Sequence, residues 1–404
     1  MITSLLLFAL ACTSPEGKQR GPATDTDDTD LVDDTDTDTE DTSDTDVVDN
    51  CHDTPAAEDR VRKVVVSHPY DSSGAQSGEF EVLELSKTGV LSETNTTFTL
   101  SRAVWGDIVF TPDGEIGIAV HDDGTLGVFR FDGDDVVIVH SNFGNNDFYA
   151  SRVTMDPTGS FIWVADDNWR DNGGGLYRVY LDCDGKLTND GRIVKGKQPA
   201  AALLDPTDTT RILVPSRDLL DSAAGHNLHL VEVNTPALLS GDAVFPDDEA
   251  TVSHAVWRDE YAFVSDNSFF SVGNRIAIAR VENQTVKALQ IIEGIEDPVW
   301  MVPSPFDSSL LVTSGFGDGL YLIKQAGVDN FYLDGELSYV SSAPELPSAA
   351  VAIERGTERG LVLVAETSGI RQVRFDAQGT VTDEGRFYLG SGYENIVGAI
   401  GVQP

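Results

Sequence analysis

Short apolar runs broken by Gly, Pro and Asp recur along most of the chain, in a unit of about 50 residues that repeats from Arg60 to the C-terminus. One copy is especially clear. Asp107 to Gly114 is an apolar strand running into a Pro-Asp-Gly turn, Ile116 to Val120 is a second strand, Thr125 to Phe131 alternates as a third, and Val136 to His140 completes the unit. The order returns in Arg152 to Gly159, Phe161 to Ala165 and Leu176 to Leu181, before the turn Asp182-Cys183-Asp184-Gly185. Aligning the ends of the second strands brings Ser67-His68, Val120-His121, Ala165-Asp166, Pro215-Ser216, Ser265-Asp266, Thr313-Ser314 and Ala365-Glu366 into register, at spacings of 53, 45, 50, 50, 48 and 52.

Seven copies of a four-stranded unit predict an all-β chain folded as a seven-bladed β-propeller over residues 60–404. The first copy lacks an innermost strand, since Arg62 to Ser67 already has the second-strand pattern. The last copy has one strand too many. After an outer strand near Glu384 to Leu389 the chain adds Asn395 to Val402, which fits the gap in blade one and predicts a clasp of the two termini in one sheet.

The chain begins differently. Leu5 to Ala11 is an apolar run of signal-peptide length, too short to cross a bilayer as a mature helix. Ala9-Leu10-Ala11-Cys12 resembles the lipobox of bacterial lipoproteins, although no Lys or Arg precedes the run and Ala9 stands where that motif usually has Leu. The resemblance implies a signal peptide over 1–11, lipidation of Cys12 and membrane attachment by acyl chains alone. With Thr13, not Asp, after the cysteine, it implies an exported protein anchored in the bacterial envelope at the outer membrane. Residues 12–59 form an acidic low-complexity linker. Its Asp25 to Asp49 stretch carries 13 acidic side chains and no basic one, so burial cannot offset ordering entropy there and the segment is a self-repelling, disordered spacer.

The whole chain holds 27 basic against 67 acidic residues, a formal net charge of −40, which excludes a nucleic-acid footprint. It has three cysteines. With Cys12 lipidated, Cys51 and Cys183 are left as a disulfide candidate: residues near 60 enter blade one from the face on which the Cys183 turn lies, and an exported location permits oxidation.

In a propeller the loops from second to third strand, and from each outer strand to the next blade, share one face around the channel, here called the upper face. The aligned strand ends therefore predict a ring of His68, His121, Asp166, Ser216, Asp266, Ser314 and Glu366. An inner ring follows from the starts of the innermost strands, at Asp107, Arg152, Ala201, His254 and Trp300. His121, Asp166, Arg152 and His254 are the catalytic candidates. His68, Asp166, Asn168, Trp169, Arg170, Asp266 and Glu366 are the ligand-binding candidates. Together the imidazoles and carboxylates suit a divalent cation, Zn through nitrogen or Ca through oxygen, while strand-end Asp, Ser and His equally suit capping of loop backbone. The Asn142–Tyr149 stretch, Asn267–Phe270, Arg170 and Arg217 add aromatic and cationic groups that suit a sugar, an anionic small molecule or a protein, or the packing of loops over the rim. His226 and His229 fall on opposite sides of a strand and do not form a metal pair. No nucleophile elbow or phosphate-cradling loop is present.

VTMDPTGSFIWVADD and DIVFTPDGEIGIAVHDD resemble the repeats of the seven-bladed propeller lactonase family, which includes 6-phosphogluconolactonase-like and YVTN-repeat proteins. That resemblance covers nearly all of residues 60–404 and implies the propeller fold. No catalytic residue of the family carries over by a motif match. Two functions are therefore expected from different classes: a surface-anchored propeller that binds a small molecule, glycan or protein on its upper loops, or a lactonase-like hydrolase of a cyclic ester, metal-assisted or not. For the anchor, Cys12→Ala is expected to abolish incorporation of radiolabelled palmitate and to move the protein from the membrane pellet to the soluble fraction. Unchanged labelling of that variant would exclude lipidation at this cysteine.

Overall fold

The computed structural model describes residues 51–404 except 146, 168–173, 206, 220–226, 235, 246–249, 251 and 268–273, together with the side chains of 197 and 217–219. The chain separates into two units, 1–47 and 48–404, and the architecture below is that of the second. It is an all-β, seven-bladed propeller. Blade two is the plainest copy: Val104–Phe110, Ile116–His121, Leu126–Asp132 and Asp135–Phe143 form one antiparallel sheet in sequence order. Its first turn shows why the repeated Pro-Asp-Gly works. The Gly114 N–H donates to the Thr111 carbonyl at 2.8 Å, and Gly114 sits at φ +77, which glycine adopts without a Cβ penalty. The second strand, Ile116–His121, is buried at all six positions, whereas the outer strand Asp135–Phe143 is mostly exposed.

That gradient is the reason for the ring. A sheet whose second strand is apolar on both faces must be covered on both sides, and in a chain built of strands alone another sheet does so. Seven apolar clusters satisfy the requirement, one at each junction between neighbouring blades. In one of them Val64 and Leu83 of blade one meet Leu363 and Ala365 of blade seven, so the ring is closed.

The closure uses the expected clasp. Ile400–Val402 pairs antiparallel with Arg62–Tyr70 through Val66↔Ile400, Val65↔Gly401 and Val64↔Val402, giving blade one its innermost strand from the far end of the chain. Ser67 extends the contact: its N–H donates to the Ala399 carbonyl at 3.1 Å, and its Oγ accepts the Ala399 N–H at 2.8 Å while donating to the Val104 carbonyl of blade two at 2.8 Å. Gly401 is a glycine by necessity. A Cβ there would lie 2.6 Å from Ile108 Cγ2 and 2.7 Å from the Ile108 carbonyl oxygen.

Blades three and four depart from the regular pattern. The outer strand of blade three, Leu187–Pro199, runs on for 13 residues and its end pairs with Arg211–Leu219 of blade four. The innermost strand of blade four is reduced to Leu203–Leu204. Two ladders therefore merge into one sheet through Gly196↔Leu219 and Pro199↔Ser216.

The lower face, opposite the second-to-third loops, carries the chain's entry. Cys51 and Cys183 are joined in a disulfide with Cα atoms 5.6 Å apart. The Ala56 N–H donates to the Pro112 carbonyl at 3.0 Å, and Arg60 and Arg62 donate to the Pro404 and Gln403 carbonyls at 3.2 and 3.1 Å. Among the described residues no helix is long and apolar enough to cross a membrane. Removing residues 397–404 exposes the edge of Arg62–Tyr70. Its cost in thermal midpoint is expected to exceed that of the single core truncation Leu363→Ala, itself about 2–5 kcal/mol, with a shift to oligomers in size-exclusion chromatography. A monomer with an unchanged midpoint would show that the clasp is dispensable.

Candidate functional site

A cavity of about 340 Å³ opens on the upper face where the innermost strands of blades two to five begin. Trp105 and Gly106 supply one side, Tyr149 to Arg152 the next, Pro199 and Ala200 the third, and Val252 and Ser253 the fourth. The volume is at the small end of the range for ligand pockets, which is about 300–1,000 Å³. Its walls are tied by backbone: the Ala150 N–H donates to the Gly124 carbonyl and the Asp167 N–H to the Tyr149 carbonyl, both at 2.8 Å. The Tyr149 hydroxyl also donates to the Asp122 carbonyl at 2.8 Å. Ser151 donates to the Pro199 carbonyl at 2.9 Å, joining blade three to blade four along the floor.

Among the described residues, three charged side chains line this cavity, the Asp122 and Asp167 carboxylates and the Arg152 guanidinium, which is its cation. The guanidinium lies 3.1 Å from Asp107 Oδ1, while Asp107 Oδ2 accepts the Val153 N–H at 3.0 Å. The guanidinium carbon also stands 4.1 Å from the centre of the Trp300 ring. The other neighbour of Trp300 is His254, stacked with ring centres 4.4 Å apart and planes at 28°. Arg152, Trp300 and His254 thus form a column contributed by blades three, six and five, with Asp107 of blade two holding its cationic end. Burial, and secondarily the Arg152 charge, hold the His254 imidazole well below its usual pKa, so it is neutral at physiological pH. A second cation beside Arg152 would meet repulsion, whereas an anion would gain from it.

His121 reaches the same cavity from the end of Ile116–His121 and is 3% exposed. Its Nδ1 is 2.8 Å from Thr125 Oγ1, whose single proton is donated to Asp123 Oδ1 at 2.7 Å. The threonine oxygen therefore accepts, Nδ1 carries the proton, and Nε2 keeps a bare lone pair. That Nε2 has no hydrogen-bond partner. Burial draws the His121 pKa down from 6.5 to about 4, with Arg102 adding to the fall and Asp123 opposing it.

The residues expected in the strand-end ring occupy equivalent positions, but the structure does not gather them into one centre. Each is buried, and most are occupied within their own blade, whereas Ser216 Oγ and His121 Nε2 have no hydrogen-bond partner. His68 Nε2 lies 3.3 Å from Glu81, and Asp266 pairs with Arg275 at 2.8 Å. Glu366 binds Arg371, which also holds Asp383 at 2.9 Å. Burial alone would lower the Arg371 pKa; the two carboxylates more than offset it and leave it raised. Asp166 accepts the Tyr149 N–H at 2.8 Å, and Ser314 donates to the Glu296 carbonyl. Among the described residues, three metal-ligating side chains do not converge within this ring. Asn168, Trp169, Arg170, His226 and Phe270 lie outside the described residues, as does the Arg217 side chain. His229 is buried on Leu228–Glu232.

The inner ring fares differently, because Asp107, Arg152, His254 and Trp300 do meet. Sequence reasoning missed Trp105, Asp122 and Gln198 as cavity residues. The place of the first follows from register, seen in the strand pairing alone. The blade-two strand begins at Val104, with a register shift between Val104 and Ile108 that turns Trp105 and Gly106 toward the channel.

A histidine with a folded-state pKa below its unfolded value lets protons bind the unfolded chain first. It contributes nothing above pH 6.5 and costs stability progressively as pH falls toward about 4, below which the loss levels off. For His121 the full loss is about 3 kcal/mol, and His254 acts in the same direction. Urea midpoints measured from pH 7 to pH 4 are expected to fall for the wild type and to fall less for His121→Asn. Parallel profiles for the two proteins would overturn this assignment.

No protein-family model and no curated protein matches the chain. Solved structures do. A 6-phosphogluconolactonase-like protein from Bacteroides fragilis superposes with a TM-score of 0.61 at 13% identity, over 86% of this chain and 99% of that one. The periplasmic gluconolactonase of Pseudomonas aeruginosa gives a TM-score of 0.59 at 13% identity, over 82% and 97%. A hypothetical selenium-binding protein from Sulfolobus tokodaii gives 0.60 at 9% identity, over 88% and 96%. At such identities the likeness is one of fold, and proteins with differently described roles share it. The fold implied by the lactonase-like repeats is the fold found: a seven-bladed β-propeller like those of the 6-phosphogluconolactonase-like proteins.

Proposed function

We propose that this protein is an envelope-anchored propeller that binds a small, anionic, sugar-like molecule in the upper-face cavity. The observation that carries the reading is the placement of Arg152. Asp107 and the Trp300 face fix its guanidinium in the wall of a cavity whose other walls include Trp105, Tyr149 and Gln198. A planar, always-charged donor fork suits a carboxylate or phosphate, and aromatic side chains suit the apolar face of a sugar ring. Lipidation at Cys12 and the acidic segment would hold this face away from a membrane.

A lactonase-like hydrolase is the second reading. The neutral His121, with a free Nε2 lone pair in the same cavity, favours it, as do structural neighbours described as lactonases. Against it stands the low His121 pKa, since a general base works best when poised near the operating pH. A panel of aldonic and uronic acids and their lactones, tested by calorimetry and by a pH-stat hydrolysis assay, separates the two. Binding is expected for at least one acid, weakened tenfold or more by Arg152→Ala and less by Arg152→Lys, with lactone opening no faster than in buffer. Rapid lactone opening lost in His121→Asn would replace the binder with the hydrolase. Binding indifferent to Arg152→Ala, or no saturable binding, would overturn the site.

A further inference from the structure

On the face opposite the cavity, the first turn of blade two meets the end of the acidic segment. We propose that His52, Asp113 and Glu115 form a binding site for a divalent cation of the zinc class, which ties the chain around His52 to the blade-two turn. Each residue offers one ligand atom, and these atoms all lie within 4.8 Å of one another. His52 Nδ1 and Asp113 Oδ2 are 2.6 Å apart, and the carboxylate can only accept, so a proton now sits between them. A cation takes the place of that proton. Bonds of about 2.0–2.1 Å around a tetrahedral ion separate its ligands by about 3.3 Å, so the pair need open only slightly.

The ligands are held in advance. Asp113 uses its other oxygen to accept the Thr111 hydroxyl at 2.6 Å and the Glu115 N–H at 2.9 Å, which aims Oδ2 at the imidazole. His52 is 4% exposed and lodged against Gly159, where an added Cβ would stand 2.7 Å from His52 Cβ. Its neighbour Cys51 is fixed by the disulfide to Cys183. Its Nε2 is buried without a hydrogen-bond partner, so packing and Asp113 alone orient the ring. Glu115 is exposed and gives the ion an entry path. One imidazole with two carboxylates suits Zn²⁺ or Co²⁺; Ca²⁺ and Mg²⁺ prefer an all-oxygen shell. The fourth position is left to water.

Neither the cavity nor its ligand enters this argument, and the test does not depend on them. Full-length protein with its disulfide intact is stripped with EDTA and titrated with Zn²⁺ against a competing chelator, alongside His52→Gln and Glu115→Gln. The expected result is one stoichiometric site in the wild type, weakened at least tenfold in both variants, and not displaced by a tenfold excess of Ca²⁺. Both variants keep the Thr-Asp carboxylates, so weak binding by that tract persists in all three proteins and is subtracted. Glu115 is exposed, so its variant decides the matter even where His52→Gln disturbs packing. Equal Zn²⁺ affinity in wild type and Glu115→Gln, or no saturable site in the wild type, would overturn the proposal.

Discussion

Every blade depends on having two neighbours. A second strand such as Ile116–His121 or Leu361–Glu366 is buried at each of its positions, which is impossible for a sheet standing alone or at the end of an open array. The unit therefore has no stable linear form, and closure is a condition of folding more than a decoration on it. Closure combines the apolar junction of blades one and seven with the pairing of Ile400–Val402, the flanking bonds of Gly398 and Gln403, and the bonds of Ser67. Hydroxyls repeat this device around the channel: Thr154 donates to the Ala202 carbonyl at 2.6 Å, Thr313 to the Ser348 carbonyl at 3.1 Å and Ser348 to the Val397 carbonyl at 3.3 Å. Apolar burial brings the blades together without regard to direction, and these bonds fix the offset of each inner strand against the next.

That division of labour explains why the strand-end ring and the inner ring behave so differently. A polar residue at the end of a second strand lies between two sheets, where an unpaired group costs about 1–3 kcal/mol. The charged ones take a partner from their own blade, Arg275 for Asp266, Arg371 for Glu366 and Glu81 for His68, while Ser216 Oγ is left without one. A residue at the start of an innermost strand has the channel in front of it and partners in other blades. Hence Arg152 can bridge Asp107 and Trp300, and His254 can stack behind.

The period, the blade boundaries and the clasp were legible because all three follow from apolar patterning, which the packing of second strands enforces at every copy. The upper face was legible for the same reason, since strand order decides which loops lie there. What was not legible depends on register. Glu366 meets Arg371 because Glu366 pairs with Gly369 across the adjoining turn, an offset that residue types alone do not specify. The column of Arg152, Trp300 and His254 required knowing how three distant inner strands are staggered. His52 lay in a stretch assigned to the spacer, and only the fold shows that the chain already packs against the blade-two turn there.

Charge sets the two faces apart. A formal charge of −40 makes this an unpromising partner for anions at long range. Screening removes most of that disadvantage, because at physiological ionic strength interactions fade beyond about 8 Å. Within the cavity the cation is Arg152, neutralised in part by Asp107, the adjacent His254 is kept uncharged, and Asp122 and Asp167 line the same walls. An anion there gains from the guanidinium and is opposed by those carboxylates, each acting more strongly in a partly desolvated wall than in water. On the lower face His52 stands beside the Asp113 and Glu115 carboxylates, with Arg60 near the same turn. The guanidinium of the upper cavity and the His52 cluster thus lie on opposite faces of the closed ring.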